Sequence, residues 1–205
     1  MTTAEAWFTD ATQGVLELVE QIPAGTWDVP GLGDWTLREL VAHTGRSWTL
    51  LGTYLAEPTP GAVGVGTAAS YVARGLVQPG IHAGVLARGR EDALGLGDDP
   101  ATTLRGFAAE AMALVAATPP GRLVPTRICP LPLGEFVKTR AFELTVHGLD
   151  IARAAGLPIP EALDRATGPA LALASEIAAE RGLAAPLLLA AAGREPLPAG
   201  FTLLG

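Results

Sequence analysis

Large apolar residues recur every three or four positions from Ala4 to Ile22, as Trp7, Phe8, Ala11, Val15, Leu18, Val19 and Ile22, and the same spacing returns from Leu37 to Leu55. This is the period of an amphipathic helix, and it commits long stretches of chain to helices that must each bury one face. Composition pushes the same way. The chain is 49 % hydrophobic, dominated by Ala and Leu, with only 5 % aromatic residues, and Ala and Leu lose little on entering a helix. The expected fold is all-α, an up-and-down four-helix bundle with an additional helix and a short extended C-terminal segment. At 205 residues the chain can bury a full-sized core with no metal or disulfide needed merely to fold.

Punctuation along the chain places the helices. Pro23 and Gly25 close the first one. The loop that follows leads to Thr36-Leu37-Arg38-Glu39, a Thr-x-x-Glu capping box in which each side chain can satisfy a backbone donor at a helix start. His43 then sits about two turns inside the second helix. Residues 57–66 read as a Pro- and Gly-rich loop, and residues 68–94 as helix interrupted at Pro79-Gly80, either by a kink or by division into two. A further helix starts at Asp98-Asp99-Pro100 and ends at Pro119-Pro120-Gly121. Pro125, Pro130 and Pro132 keep the next stretch extended. A long helix is expected from Gly134 to Ala155, stopped by Gly156 and Pro158, and another from Glu161 to Arg181. The ending PLLLAAAGREPLPAGFTLLG reads as two short extended segments about a turn at Gly193. The expected division is a bundle over 1–157 and a C-terminal helix and tail over 158–205.

The net charge of -7 offers no attraction for phosphate backbones or anionic lipid surfaces, so nucleic-acid and membrane partners are not expected. Cys129 is the single cysteine and has no partner for an internal disulfide. The N-terminal MTTAEAWFTD lacks the basic start and apolar run of a secretory signal. A cytoplasmic location is the expectation. The Ala-rich helices over 68–94 and 161–181 offer a surface for a homodimer.

The chemistry concentrates on Glu143 and His147, four residues apart on the long helix. Positions i and i+4 lie about 5–6 Å apart at Cβ, so a carboxylate and an imidazole can address one point. Glutamate is common enough that a bare Glu-x-x-x-His is a weak signal. With His43 from a neighbouring helix the set becomes two histidines and a carboxylate, which can hold a divalent cation and leave positions open. Asp150 can accept from the His147 imidazole and fix its tautomer, or pair with Arg153. Arg140, one turn before Glu143, can pair with Glu143, with a substrate carboxylate, or serve structure alone. Cys129 reads as a small buried filler or as a metal-binding or redox thiol, His82 as a loop or surface histidine or a fourth ligand, and Trp35 as packing at the start of the second helix or as lining of a substrate pocket.

At these positions the chain resembles a known family. DWTLRELVAHTGRSW, followed about a hundred residues later by RAFELTVHGLDIARAAG, is similar to the N-terminal metal-binding domain of the mycothiol-dependent maleylpyruvate isomerases, within the DinB-like four-helix bundles. The resemblance covers roughly residues 5–157, and its specificity lies in the two blocks together. It implies metal ligands at His43, Glu143 and His147, usually for zinc, with solvent or a thiolate completing the shell. It also implies mycothiol as the thiol cofactor, and hence a thiol-dependent transferase or isomerase acting on a small electrophile. The alternative function is a non-catalytic metal-binding bundle that acts as a sensor or regulatory partner.

Overall fold

Reciprocal capping boxes start three of the helices, the first two of them central to the architecture. In the computed structural model, which describes residues 2–204 apart from the side chains of His82 and Ala83, Thr2 caps α1 (Thr3–Gln21) and Thr36 caps α2 (Leu37–Leu55). Thr36 Oγ1 accepts the Glu39 N–H at 3.2 Å, and Glu39 Oε2 accepts the Thr36 N–H at 2.9 Å. Satisfying these otherwise orphaned donors fixes where α2 begins. The phase of the helix follows, with Leu37, Leu40, Val41, Trp48 and Leu51 buried.

The chain continues through α3 (Ala68–Leu76), α4 (Ile81–Leu94) and α5 (Pro100–Ala117) to a two-residue ladder, β1 (Leu123–Val124) against β2 (Leu131–Pro132), antiparallel with Leu123 opposite Pro132. Then come α6 (Leu133–Ala155), α7 (Glu161–Glu180) and α8 (Ala184–Ala191). The four central helices are α1, α2, α5 and α6, with α6 and α5 each packed against both α1 and α2. The all-α bundle is as expected. One step departs from strict alternation. Gly45 meets Leu104, and Gly52 meets Glu110 and Leu114, so α2 and α5 run in the same direction. The reason is that the connection between them is a crossover carrying α3 and α4, long enough to return the chain to its starting end. α2 and α6 are antiparallel, with Tyr54 against Phe136 at one end and His43 against His147 nearer the other.

Pro79-Gly80 divides the third helical region in two, and Gly80 takes φ +73°, a backbone that favours glycine. α6 closes as its sequence implies: Gly156 is left-handed at φ +66°, and the Leu157 N–H reaches back to the Ala152 carbonyl at 2.9 Å. The C-terminal expectation needs correction. Residues 184–191 are the helix α8, not an extended segment, and no strand follows Gly193 among the described residues. The Ala-Leu run outweighs Pro186, because a proline in the first turn removes a donor that has no helical partner anyway. The tail returns to α7, where Arg181 Nη1 donates to the Leu203 carbonyl at 2.6 Å. No helix of the described residues is long and apolar enough to cross a membrane.

α7 lies across α1, α3 and α6, and two glycines admit it. A Cβ on Gly14 would stand 2.5 Å from the Leu163 Cβ and 2.6 Å from its backbone N, and one on Gly148 would stand 2.9 Å from Leu163 Cδ1. Gly14→Ala is therefore expected to destabilise the protein by about 2 kcal/mol, because overpacking against backbone outweighs the usual helix gain. Gly106→Ala, on α5 with nothing within 4 Å of its new Cβ, should instead stabilise by about 0.5–1 kcal/mol. Urea denaturation of both variants checks the pair, and equal effects would contradict the packing.

Candidate metal centre

Glu143 and His147 share one face of α6 because the helix places them a turn apart, and Glu143 Oε2 lies 3.3 Å from His147 Nε2. On the other side of the ring, His147 Nδ1 is 3.4 Å from Asp150 Oδ2, while Asp150 Oδ1 accepts from Arg153 Nη2 at 3.0 Å. The His147 imidazole is thus held between two carboxylates. His43 arrives from α2, its ring centroid 5.1 Å from that of His147 at an interplanar angle of 79°. Candidate donor atoms of His43, Glu143 and His147 all lie within 4.8 Å of one another.

Trp35 backs this cluster. Its ring lies 4.6 Å from the His43 ring, and its indole N–H donates to the Leu86 carbonyl of α4 at 3.2 Å. Gly89 of α4 comes so near that an added Cβ would meet the indole at 2.8 Å. The tryptophan therefore does more than pack a helix start. It joins α4 to His43.

Electrostatics separate the two histidines. Burial disfavours charge on His43, and positive charge on His147 adds to that, so its pKa falls from 6.5 to about 4. Burial acts against charge on His147 as well, but hydrogen bonding to Asp150 and Glu143 and the charges of both carboxylates outweigh it, raising its pKa to about 9. Burial would raise Glu143, yet the His147 hydrogen bond and the positive charges of Arg140, His147 and His43 hold its carboxyl at about 2.

The donor set suits a divalent cation. His43 Nδ1 is buried with no hydrogen-bond partner, a cost that proteins seldom leave unmet. His43 is neutral and Glu143 ionised at neutral pH, which are the ligating forms. The Glu143 side chain keeps 32 % of its exposure against 12 % for His147, so the cluster opens to solvent on the carboxylate side. Two imidazoles and a carboxylate would leave room there for exchangeable ligands.

The remaining candidates are placed as follows. Arg140 is buried one turn before Glu143, with its Nε–H on Thr139 Oγ1 at 3.1 Å and its Cζ 5.1 Å from the Phe136 ring centroid. Asp150 adopts both roles open to it, facing His147 and Arg153 together. Cys129 is buried, its Sγ against Gly66. The side chain of His82 lies outside the described residues. Sequence reasoning missed Tyr54 and Tyr71, whose rings stand edge-on to Phe136 at 5.5 and 6.4 Å. Their scarcity was the available signal, since the chain has only two tyrosines and both pack around one phenylalanine.

Fold and cluster together define a class: helical bundles that gather two histidines and a glutamate where two antiparallel helices meet. The chain belongs to the family of the mycothiol maleylpyruvate isomerase N-terminal domain, whose model matches residues 8–152. No curated protein and no solved structure matches it at a significant level.

In the metal-free protein His147 should stay protonated up to about pH 9 and His43 neutral down to about pH 4. The linked stability has opposite signs at the two rings. His147, with its raised pKa, contributes below 6.5 and loses that contribution as pH climbs toward about 9. His43, with its lowered pKa, contributes above 6.5 and loses it as pH falls toward about 4. Histidine 15N spectra read both titrations, and two rings titrating together near 6.5 would refute this arrangement.

Proposed function

We propose that the protein binds one divalent cation, zinc in the first instance, through His43, Glu143 and His147, and uses it to activate a thiol toward a small electrophile. The single observation that carries this reading is the convergence of three donor groups from two helices within 4.8 Å of one another. Family membership supports it. Zinc is the first choice because imidazole and carboxylate suit it, although iron, nickel and manganese accept similar sets.

A cation held there would lower the pKa of a bound thiol from about 8.5 and so supply a thiolate at neutral pH. The protein's own residues prepare for this. Asp150 holds the His147 ring in place and favours a basic ligand nitrogen. His43 needs no deprotonation near neutral pH, because burial already keeps it neutral. His147 must give up its proton, and Glu143 and Asp150 lie close enough to offset the positive charge that replaces it. Trp35 and α4 cover the ring of His43 and keep water from that side. Mycothiol is the thiol that the family points to. A non-catalytic bundle that merely senses a metal is the competing reading, and the solvent-open carboxylate side argues for chemistry over it.

Elemental analysis after dialysis is expected to give one cation per chain, falling to a residual trace in His147→Ala. Asp150→Asn should keep the stoichiometry at saturation but weaken affinity by about 10–100-fold, the usual cost of losing a carboxylate behind a ligating imidazole. With the metal-loaded protein, mycothiol and monochlorobimane should give an adduct, and His147→Ala should not. Metal uptake with no turnover across a panel of thiols and electrophiles would favour the sensor. A protein that takes up no metal would end both readings.

A further inference from the structure

Arg140 is 7 % exposed, and a buried guanidinium is strongly unfavourable unless an anion or a full set of acceptors compensates it. Its surroundings supply little. The Nε–H donates to Thr139 Oγ1 at 3.1 Å, and that hydroxyl is itself committed to the Phe136 carbonyl at 2.7 Å. Among the described residues no acceptor meets the two terminal nitrogens and no carboxylate lies within ion-pair distance of them, and neither is fully buried, so they are left to solvent or to an incoming anion. The Phe136 ring beneath the guanidinium is a wall and offers no counter-charge beyond its π-face.

Phe136 and Arg140 come from α6, Tyr54 from α2 and Tyr71 from α3, and the two tyrosine rings stand edge-on to the phenylalanine. α3 is pinned in place because its first backbone donor, the Ala68 N–H, reaches Glu135 Oε2 of α6 at 2.8 Å. Phe136, Arg140 and Glu143 follow one another at turn spacing along α6, with the Arg140 Cζ 5.1 Å from the Phe136 ring, so Arg140 lies between the candidate metal centre and the aromatic wall. A cation on Glu143 would take up much of that carboxylate's charge. Arg140 would then be left with still less compensation, and an incoming anion would meet a more positive site.

We propose that Arg140 recognises a carboxylate on the ligand of this centre, its planar fork of N–H donors taking the two oxygens while the partly buried Tyr54 and Tyr71 cover the adjoining hydrocarbon and the fully buried Phe136 backs the guanidinium. The fork matters because an arginine pairs with a carboxylate through two parallel hydrogen bonds, which a lysine cannot reproduce. This rests on reading the centre as a site for thiol and electrophile, and the carboxylate belongs to one of those two.

Cobalt(II) titration comes first. A protein that takes up no cobalt overturns the proposed function of the centre, and the carboxylate arm is then read on metal-free protein by calorimetry. Thioglycolate against 2-mercaptoethanol tests the thiol as the source of the carboxylate. Succinate against succinamide, in the presence of 2-mercaptoethanol, tests the electrophile. In one arm the carboxylated probe should bind at least about tenfold more tightly, as expected for a desolvated bidentate pair. Arg140→Gln should reduce that preference to about twofold or less while cobalt binds as tightly as in wild type or more so, since a neighbouring positive charge is gone. Arg140→Lys keeps the charge without the fork and should fall between the two, which preserves the test if the glutamine variant does not fold. On metal-free protein the preference should persist but weaken, because Glu143 then competes for the guanidinium. Equal binding of carboxylated and neutral probes by wild type in both arms, or an undiminished preference in Arg140→Gln, would overturn the assignment.

Discussion

The antiparallel contact between α2 and α6 is the constraint on which the rest depends. Glu143 and His147 are placed by one helix and would lie side by side in any fold that kept α6 helical. His43 has no such guarantee. It reaches them only because α2 lies against α6 in one register, pinned at one end by the Tyr54–Phe136 ring contact and near the other by the imidazole pair itself. A slip of a single turn would displace the ring by about 5.4 Å and disband the cluster. The neighbouring helix α1 helps hold that register through two buried clasps, the Trp48 indole on Thr12 Oγ1 at 3.1 Å and the Trp7 indole on Thr145 Oγ1 at 3.1 Å. Each satisfies a polar group that burial would otherwise leave unpaired, so a shifted register would lose hydrogen bonds as well as packing.

The charges gathered at this contact have a directional logic. Two histidines 5.1 Å apart cannot both be protonated in a partly dry environment, and the carboxylates decide between them. Glu143 and Asp150 flank His147, while His43 faces the tryptophan ring and an unpartnered nitrogen. Protonation therefore settles on His147 and leaves His43 neutral. In apolar surroundings neither state would be cheap. Polar groups set so close in the middle of a helix pair lower the stability available from packing there, and ligand binding is the familiar reason for such a concession.

Much of this was legible in the sequence, for local reasons. The capping box at Thr36 and Glu39 fixes the start of α2 and so the position of His43 within it, and Gly156 marks the end of α6; both devices act within a few residues. The pairing of Glu143 with His147 follows from helix geometry alone. What escaped depends on contacts remote in sequence or on competing local preferences. The α8 segment was read as extended because its proline and nearby glycine resemble loop punctuation, yet Ala and Leu prevail when proline falls in the first turn. The placement of Trp35 on His43, and of both tyrosines around Phe136, has no signature in spacing. The Tyr71 contact follows from how α3 folds back over the bundle, the hold on Trp35 from how α4 does, and the Tyr54 contact from the packing of α2 on α6. The shared direction of α2 and α5 likewise comes from the length of the crossover, which spacing within each helix does not report.

That crossover ties the topology to the chemistry. An alternating bundle would join α2 to its successor by a short loop and leave the groove beside His43 bare. Here the chain must travel the length of the bundle before α5 begins, and it uses that passage to build walls. α4 covers His43 through Trp35 and is held to α2 by Arg46 on Asp92 at 2.9 Å and by Arg38 on the Ala93 carbonyl at 3.3 Å. α3 brings Tyr71 beside Phe136 and is held to α6 by Glu135. α3 and α4 also join the continuous apolar core, through Ala68, Ala69 and Val72 and through Ala93, so these walls are packed as well as tied. The residues that would grip a cation sit on α2 and α6, and the crossover adds Tyr71 from α3 and cover from α4 to what those two helices already present. Changes in the crossover can then alter what the site admits while the three donors keep their positions.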